Sequence, residues 1–271
     1  MNLPALLMAA EESAEQTVGT PFETPSAGHL FNFAPIFDGA PEWFTYPMVI
    51  MTVVTIIVGA FFWKAFAKPK LVPTGAQNLG EAGVDFVRDQ IANPVLGSEG
   101  AKWTPFLTTV FFWVLLLNLM GIIPAVQFPV TSRMAIPAML AALAWIIYNT
   151  IGIRNQGFFG YFKNMMFPPG VPKPIYILLA PIEFISTIIV RPLTLAVRLF
   201  ANMVAGHMIL AVLFIGTAVF WSSTIGKVTF VLPFAFGTIM TGFEIFVAGM
   251  QAFIITILTA VYIAGAQEAH H

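Results

Sequence analysis

No cysteine occurs in the 271 residues. That excludes disulfides, thiolate metal sites and cysteine nucleophiles. Charge is scarce as well: Asp, Glu, Lys and Arg make up 9% of the chain, where a soluble domain carries about 25%. The net charge is −1, which gives no electrostatic hint of a nucleic-acid partner. There is no HExxH, P-loop, GxSxG or dinucleotide fingerprint, so the common hydrolase and nucleotide-binding chemistries have no foothold. No repeat of 20–50 residues and no pair of matching halves is visible, which weakens an inverted-repeat transporter. Residues 1–45 hold six acidic side chains and no Lys or Arg. A secretory signal needs a basic start and a longer apolar core. This stretch is expected to be an acidic, loosely ordered tail ending in the interfacial anchors Trp43 and Tyr46.

What the chain has is apolar length. Hydrophobic residues make up 58% and the mean hydropathy is +0.84. The pattern predicts an all-α membrane protein with one integral membrane domain over 46–271. Spans are expected at 46–66, 105–126, 135–153, 175–220 and 228–266, each near or above the roughly 20 residues that crossing requires. Residues 73–96 differ. Leu79, Gly83, Phe86, Val87 and Ile91 fall on one helical face, and Glu81, Asp85, Arg88 and Asp89 on the other. This predicts an amphipathic helix at the membrane surface, against another protein or in solvent. Arg154–Pro174 reads as a loop rich in Phe, Pro and Gly.

The run 175–220 is too long for one upright span, and Pro181 and Pro192 are its only prolines. It is either one long tilted helix or two short spans with a turn near Arg191–Pro192. The long helix is preferred, because the alternative leaves a short first span and no glycine to turn on. Trp221–Lys227 reads as a turn, and 228–266 as a second long helix antiparallel to it. The basic residues set the topology: eight of the 12 fall in segments that would be cytoplasmic, two outside, and two, Arg191 and Arg198, in the membrane helix. This predicts five crossings, N-terminus outside and C-terminus inside.

The candidate site lies in that last hairpin. Folding it about Thr224–Ile225 sets residue i level with about 449 − i. Arg198 then lies level with Gln251, with Asn202 one turn on. His207 and Glu244 form a second polar level, about 10–13 Å toward the outside. Glu183 lies toward the cytoplasm. A charged side chain at the bilayer centre is costly, so it faces a partner or a water-filled path. Protonatable groups at two depths can pass protons along such paths. An arginine cannot, but it can block a leak and attract a passing carboxylate. The blander alternative has Arg191 and Arg198 snorkelling to the interface while the other polar groups hold helices together. Asn118 is expected to bond a neighbouring helix, with a place beside the channel as the alternative. Neither a metal nor a cofactor is expected.

The run Arg191–His207 (Arg-Pro-Leu-Thr-Leu-Ala-Val-Arg-Leu-Phe-Ala-Asn-Met-Val-Ala-Gly-His) closely resembles the signature of subunit a of F-type ATP synthase. So do Asn118–Pro124 and the C-terminal set Phe243-Glu244, Gln251–Ile254, Leu258-Thr259 and Tyr262-Ile263. The resemblance covers most of 46–263 and suggests a bacterial, actinobacterial-like member. It implies a non-catalytic stator subunit that offers two offset proton half-channels to a rotating c-ring, alongside peripheral-stalk b subunits and the rest of the complex. It implies that Arg198 is the essential arginine. Asn202, His207, Glu244 and Gln251 match positions near that arginine or along the outer half-channel, and Glu183 matches the acidic position toward the inner one. In one respect the sequence departs: Glu183 sits one residue farther from the Arg-Pro pair than in many relatives. In a regular helix that turns it by about 100°. An independent multi-pass transporter or channel is the alternative function, and a purely structural anchor a further one.

Overall fold

The computed structural model describes residues 45–123, 130–167, 175–222 and 230–267. The acidic tail, Pro124, the turn after Ser222 and the two terminal histidines lie outside the described residues. All regular structure among the described residues is helical. Five helical runs are long and apolar enough to cross a membrane. The protein is an all-α membrane protein.

Helix α1, Tyr46–Phe66, starts with a proline in its first turn and ends with Lys64 in its last. Both are favourable helix-end choices. It is apolar on every side, as a lipid-embedded helix should be. Helix α2, Ala76–Val87, continues through one π-turn, Arg88–Ala92, into the short α3, Asn93–Leu96. Its packed stripe is Gln77, Gly80, Val87 and Ile91, while Leu79 and Phe86 stay exposed. The expected apolar face is therefore rotated toward the glycines. Gly80 explains this, since a Cβ there would lie 3.0 Å from Ala65 Cβ of α1. On the polar side Arg88 bonds Asp85 at 2.9 Å and Asp89 at 3.1 Å.

Helix α4, Gly100–Leu119, is tied to α1 by Trp113 Nε1, which donates to Thr55 Oγ1 at 2.9 Å. Helix α5 runs Ala135–Gln156. Gly157, at φ 72°, turns the chain directly into α6, Phe158–Met166. The loop expected over Arg154–Pro174 thus holds a nine-residue helix. Its signal was short and hidden among the Phe and Gly residues that suggested a loop. Tyr161 fixes α6: it lies against Gly152 and donates to Asn149 Oδ1 at 3.0 Å. Burial raises the pKa of its hydroxyl, with Arg191 opposing that in part, so it stays a neutral donor.

Helix α7, Tyr176–Ile185, one π-turn, Ser186–Val190, and α8, Arg191–Ser222, form one unbroken run. The chain does not turn at Arg191–Pro192. Helix α9 spans Val231–Gln267. The apolar stretches of these two runs are 43 and 37 residues long, about twice what 30 Å of hydrocarbon requires.

The described residues divide into a larger unit, within 33–205 and 244–271, and a smaller one, within 206–243. The core of the larger unit joins Val87 and Ile91, Leu107 and Val114, Ala141 and Ala144, Leu195 and Leu199, and Ala252, Ile255 and Ile263. The alanines let backbones approach closely, which is how membrane helices gain packing. Arg191 of α8 stacks over the Tyr262 ring of α9 at 5.4 Å. That is one turn beyond the partner expected from the hairpin register. In the smaller unit, a Cβ on Gly237 of α9 would lie 3.3 Å from Phe214 of α8, two residues from the expected partner. Trp221 and Phe230 meet there edge to face at 4.8 Å.

Candidate proton-path residues

Arg198 lies on α8 and is exposed. Among the described residues no hydrogen bond or ion pair engages its guanidinium. Thr194, Ala201 and Ala205 share its exposed stripe. These three are small, so a second helix could approach Arg198 closely from that side. The opposite face, Leu195, Leu199 and Met203, is buried. The 3.6-residue period separates the two faces and gives Arg198 its direction.

Two other candidate residues of the larger unit are turned inward. Glu244 and Gln251 are buried at 8% and 6% exposure. Glu244 Oε2, Gln251 Oε1 and Asn202 Nδ2 are buried with no hydrogen-bond partner among the described residues. A buried polar atom left so is costly, about 1–3 kcal/mol. All three lie on α8 and α9. His207 lies half-buried in the smaller unit.

Asn118 is fully buried, and its Oδ1 accepts from Thr131 Oγ1 at 3.0 Å. It joins α4 to the following loop, while its Nδ2 is buried with no hydrogen-bond partner among the described residues. Arg133 in that loop donates to Thr45 Oγ1 at 2.9 Å.

Glu183 lines a cavity of about 240 Å³. Tyr148, Tyr161, Asn164, Thr187, Arg191 and Tyr262 line it too. Eight α-helical residues would set Glu183 about 80° from Arg191. The π-turn between them takes up one extra residue and brings the two to within about 20°. Sequence reasoning did not gather the tyrosines, Asn164 or Arg191 into this group. They come from α5, α6, α8 and α9, and no spacing in one helix encodes that meeting. Among the described residues no group of three or more His, Asp or Glu could hold a metal ion.

These features define a class: a polytopic membrane protein with an unpaired cation on one exposed helix face and titratable or amide groups buried behind it. The comparisons are specific. The sequence model of the ATP synthase A chain family matches residues 48–264. ATP synthase subunit a of a Parafrankia species is 42% identical over 98% of this chain and 88% of its own length. The subunit a of Rhodococcus erythropolis is 41% identical over 97% and 99%, and that of Streptomyces lividans 39% over 99% and 96%. The chain belongs to the ATP synthase subunit a family.

Proposed function

We propose that this chain is the non-catalytic stator subunit of the membrane sector of an F-type ATP synthase. It works with the rest of that complex, against a c-ring and beside peripheral-stalk b subunits, and moves protons. Protons enter by an outer half-channel along His207, Glu244, Asn202 and Gln251. They leave by an inner half-channel at the Glu183 cavity. Arg198 stands between the two. It carries its charge at every working pH, so it stops protons from crossing directly and attracts each ionised ring carboxylate as it passes. Proton flow then turns the ring and drives ATP synthesis. The N-terminus lies outside and the C-terminus in the cytoplasm, a reading supported by the bias of the basic residues.

One observation carries this reading: Arg198 is exposed and unpaired on a stripe of small residues. A charge at membrane depth with no partner in its own chain needs one from elsewhere. The test uses the absence of cysteine. Ala201→Cys or Ala205→Cys is paired with a cysteine on the outer helix of the c-ring in the assembled complex. A disulfide between the subunits is expected. Failure at both positions, in a complex that still assembles, would remove the rotor from this face.

A further inference from the structure

The π-turn Ser186–Val190 has a chemical cause. Arg191 N–H bonds the Ser186 carbonyl, five residues back. In an α-helix it would serve the Thr187 carbonyl instead. The α-helical donor for the Ile188 carbonyl would be residue 192, a proline with no N–H. Two successive carbonyls therefore lose their regular donors. At membrane depth an unsatisfied carbonyl is strongly disfavoured. Both are met from α5. Tyr148 Oη donates to the Thr187 carbonyl at 2.7 Å. Trp145 Nε1 donates to the Ile188 carbonyl at 3.0 Å.

We infer that Trp145 and Tyr148 are positioning residues that hold this π-turn and thereby keep Glu183 on the same helix face as Arg191. Proline removes one donor whatever the register. The Thr187 carbonyl is different: without the Tyr148 hydroxyl it is satisfied only if Arg191 N–H returns to it, which restores the α-turn. Losing the two donors from α5 thus tips the segment toward α. Glu183 then turns by about 100° away from the cavity. The importance of that turn for function rests on the proposed inner half-channel; the geometry of the turn does not.

The geometry has a counterintuitive consequence. Deleting one residue from a π-turn makes it a regular α-turn without moving the flanking faces. Seven α-helical steps return Glu183 to within about 20° of Arg191, where the π-turn now holds it. A deletion should therefore rescue what loss of the donors disrupts.

Glu183→Cys provides the subunit's sole thiol. Its labelling by a water-soluble maleimide is followed on the subunit's gel band in the purified complex. Trp145→Phe with Tyr148→Phe is expected to slow labelling about tenfold, and Tyr148→Phe alone by less. Deleting Ile188 in the double variant is expected to restore labelling to within about twofold. In the native background the same deletion should leave it unchanged. Wild-type labelling in the double variant, or no rescue by the deletion, would overturn the inference. If the double variant does not assemble, the deletion must restore assembly as well as labelling, and its failure to do so counts against the inference. Pumping by Glu183→Gln is read separately. Normal pumping there would remove Glu183 from the proton path and leave the positioning role standing.

Discussion

Replacing Arg198 by alanine should reduce ATP-driven proton pumping about a hundredfold, in a complex that still assembles. The magnitude follows from the mechanism. An ionised ring carboxylate passing a purely apolar face meets a penalty of about 2.5–3.5 kcal/mol on insertion scales. Each 1.4 kcal/mol is about a factor of ten. Assembly should survive, because the side chain is exposed and supports no internal hydrogen bond or ion pair among the described residues. Arg198→Lys should fall between the two. It keeps a charge but is more strongly hydrated and titrates more readily when desolvated. Inverted membrane vesicles with a pH-sensitive dye give the rate. Full pumping by Arg198→Ala would return the side chain to a snorkelling role.

The second large effect is a split between stability and activity at Glu244. Its carboxylate is buried, and Oε2 has no partner among the described residues. Leucine has a similar volume and removes an unsatisfied group worth about 1–3 kcal/mol. Glu244→Leu should therefore assemble with equal or higher thermal stability, yet pump at least about tenfold more slowly, the usual scale of a lost proton-transfer group. Glu244→Gln should also pump slowly, since it keeps the shape but carries no transferable proton. Thermal unfolding of the purified complex and pumping in vesicles separate the two quantities. Lower stability with normal pumping would make Glu244 a packing residue.

Hydropathy made the helical fold legible, because only long apolar helices bury their own backbone polar groups in lipid. The unbroken α7–α8 run was readable from the lack of any glycine near Pro192. The π-turn was not. It depends on Tyr148 and Trp145, some 40 residues earlier, reaching carbonyls that Pro192 and the shifted Arg191 bond leave open. Helix α6 was missed for a related reason. Nine residues give too little periodicity, and its anchors, Gly152 and Asn149, lie on α5. At the candidate site, Arg198 stood out because charge is rare in this chain. The exposed stripe around it was not read from the sequence, because which face of α8 is left open depends on what packs against the other. The burial of Glu244 and Gln251, and the gathering of Glu183 with Arg191 in one cavity, needed tertiary packing.

The central claim is that a fixed cation separates two proton paths. Passive proton conductance through the membrane sector tests it most directly. Vesicles carrying the complex with its catalytic head attached and inhibited, so that the ring cannot turn, are given an imposed pH gradient, with native Arg198 or Arg198→Ala. A separating charge predicts that the alanine variant dissipates the gradient faster than the native protein. An unchanged or slower leak would contradict it, because no barrier between the paths would then have resided in Arg198.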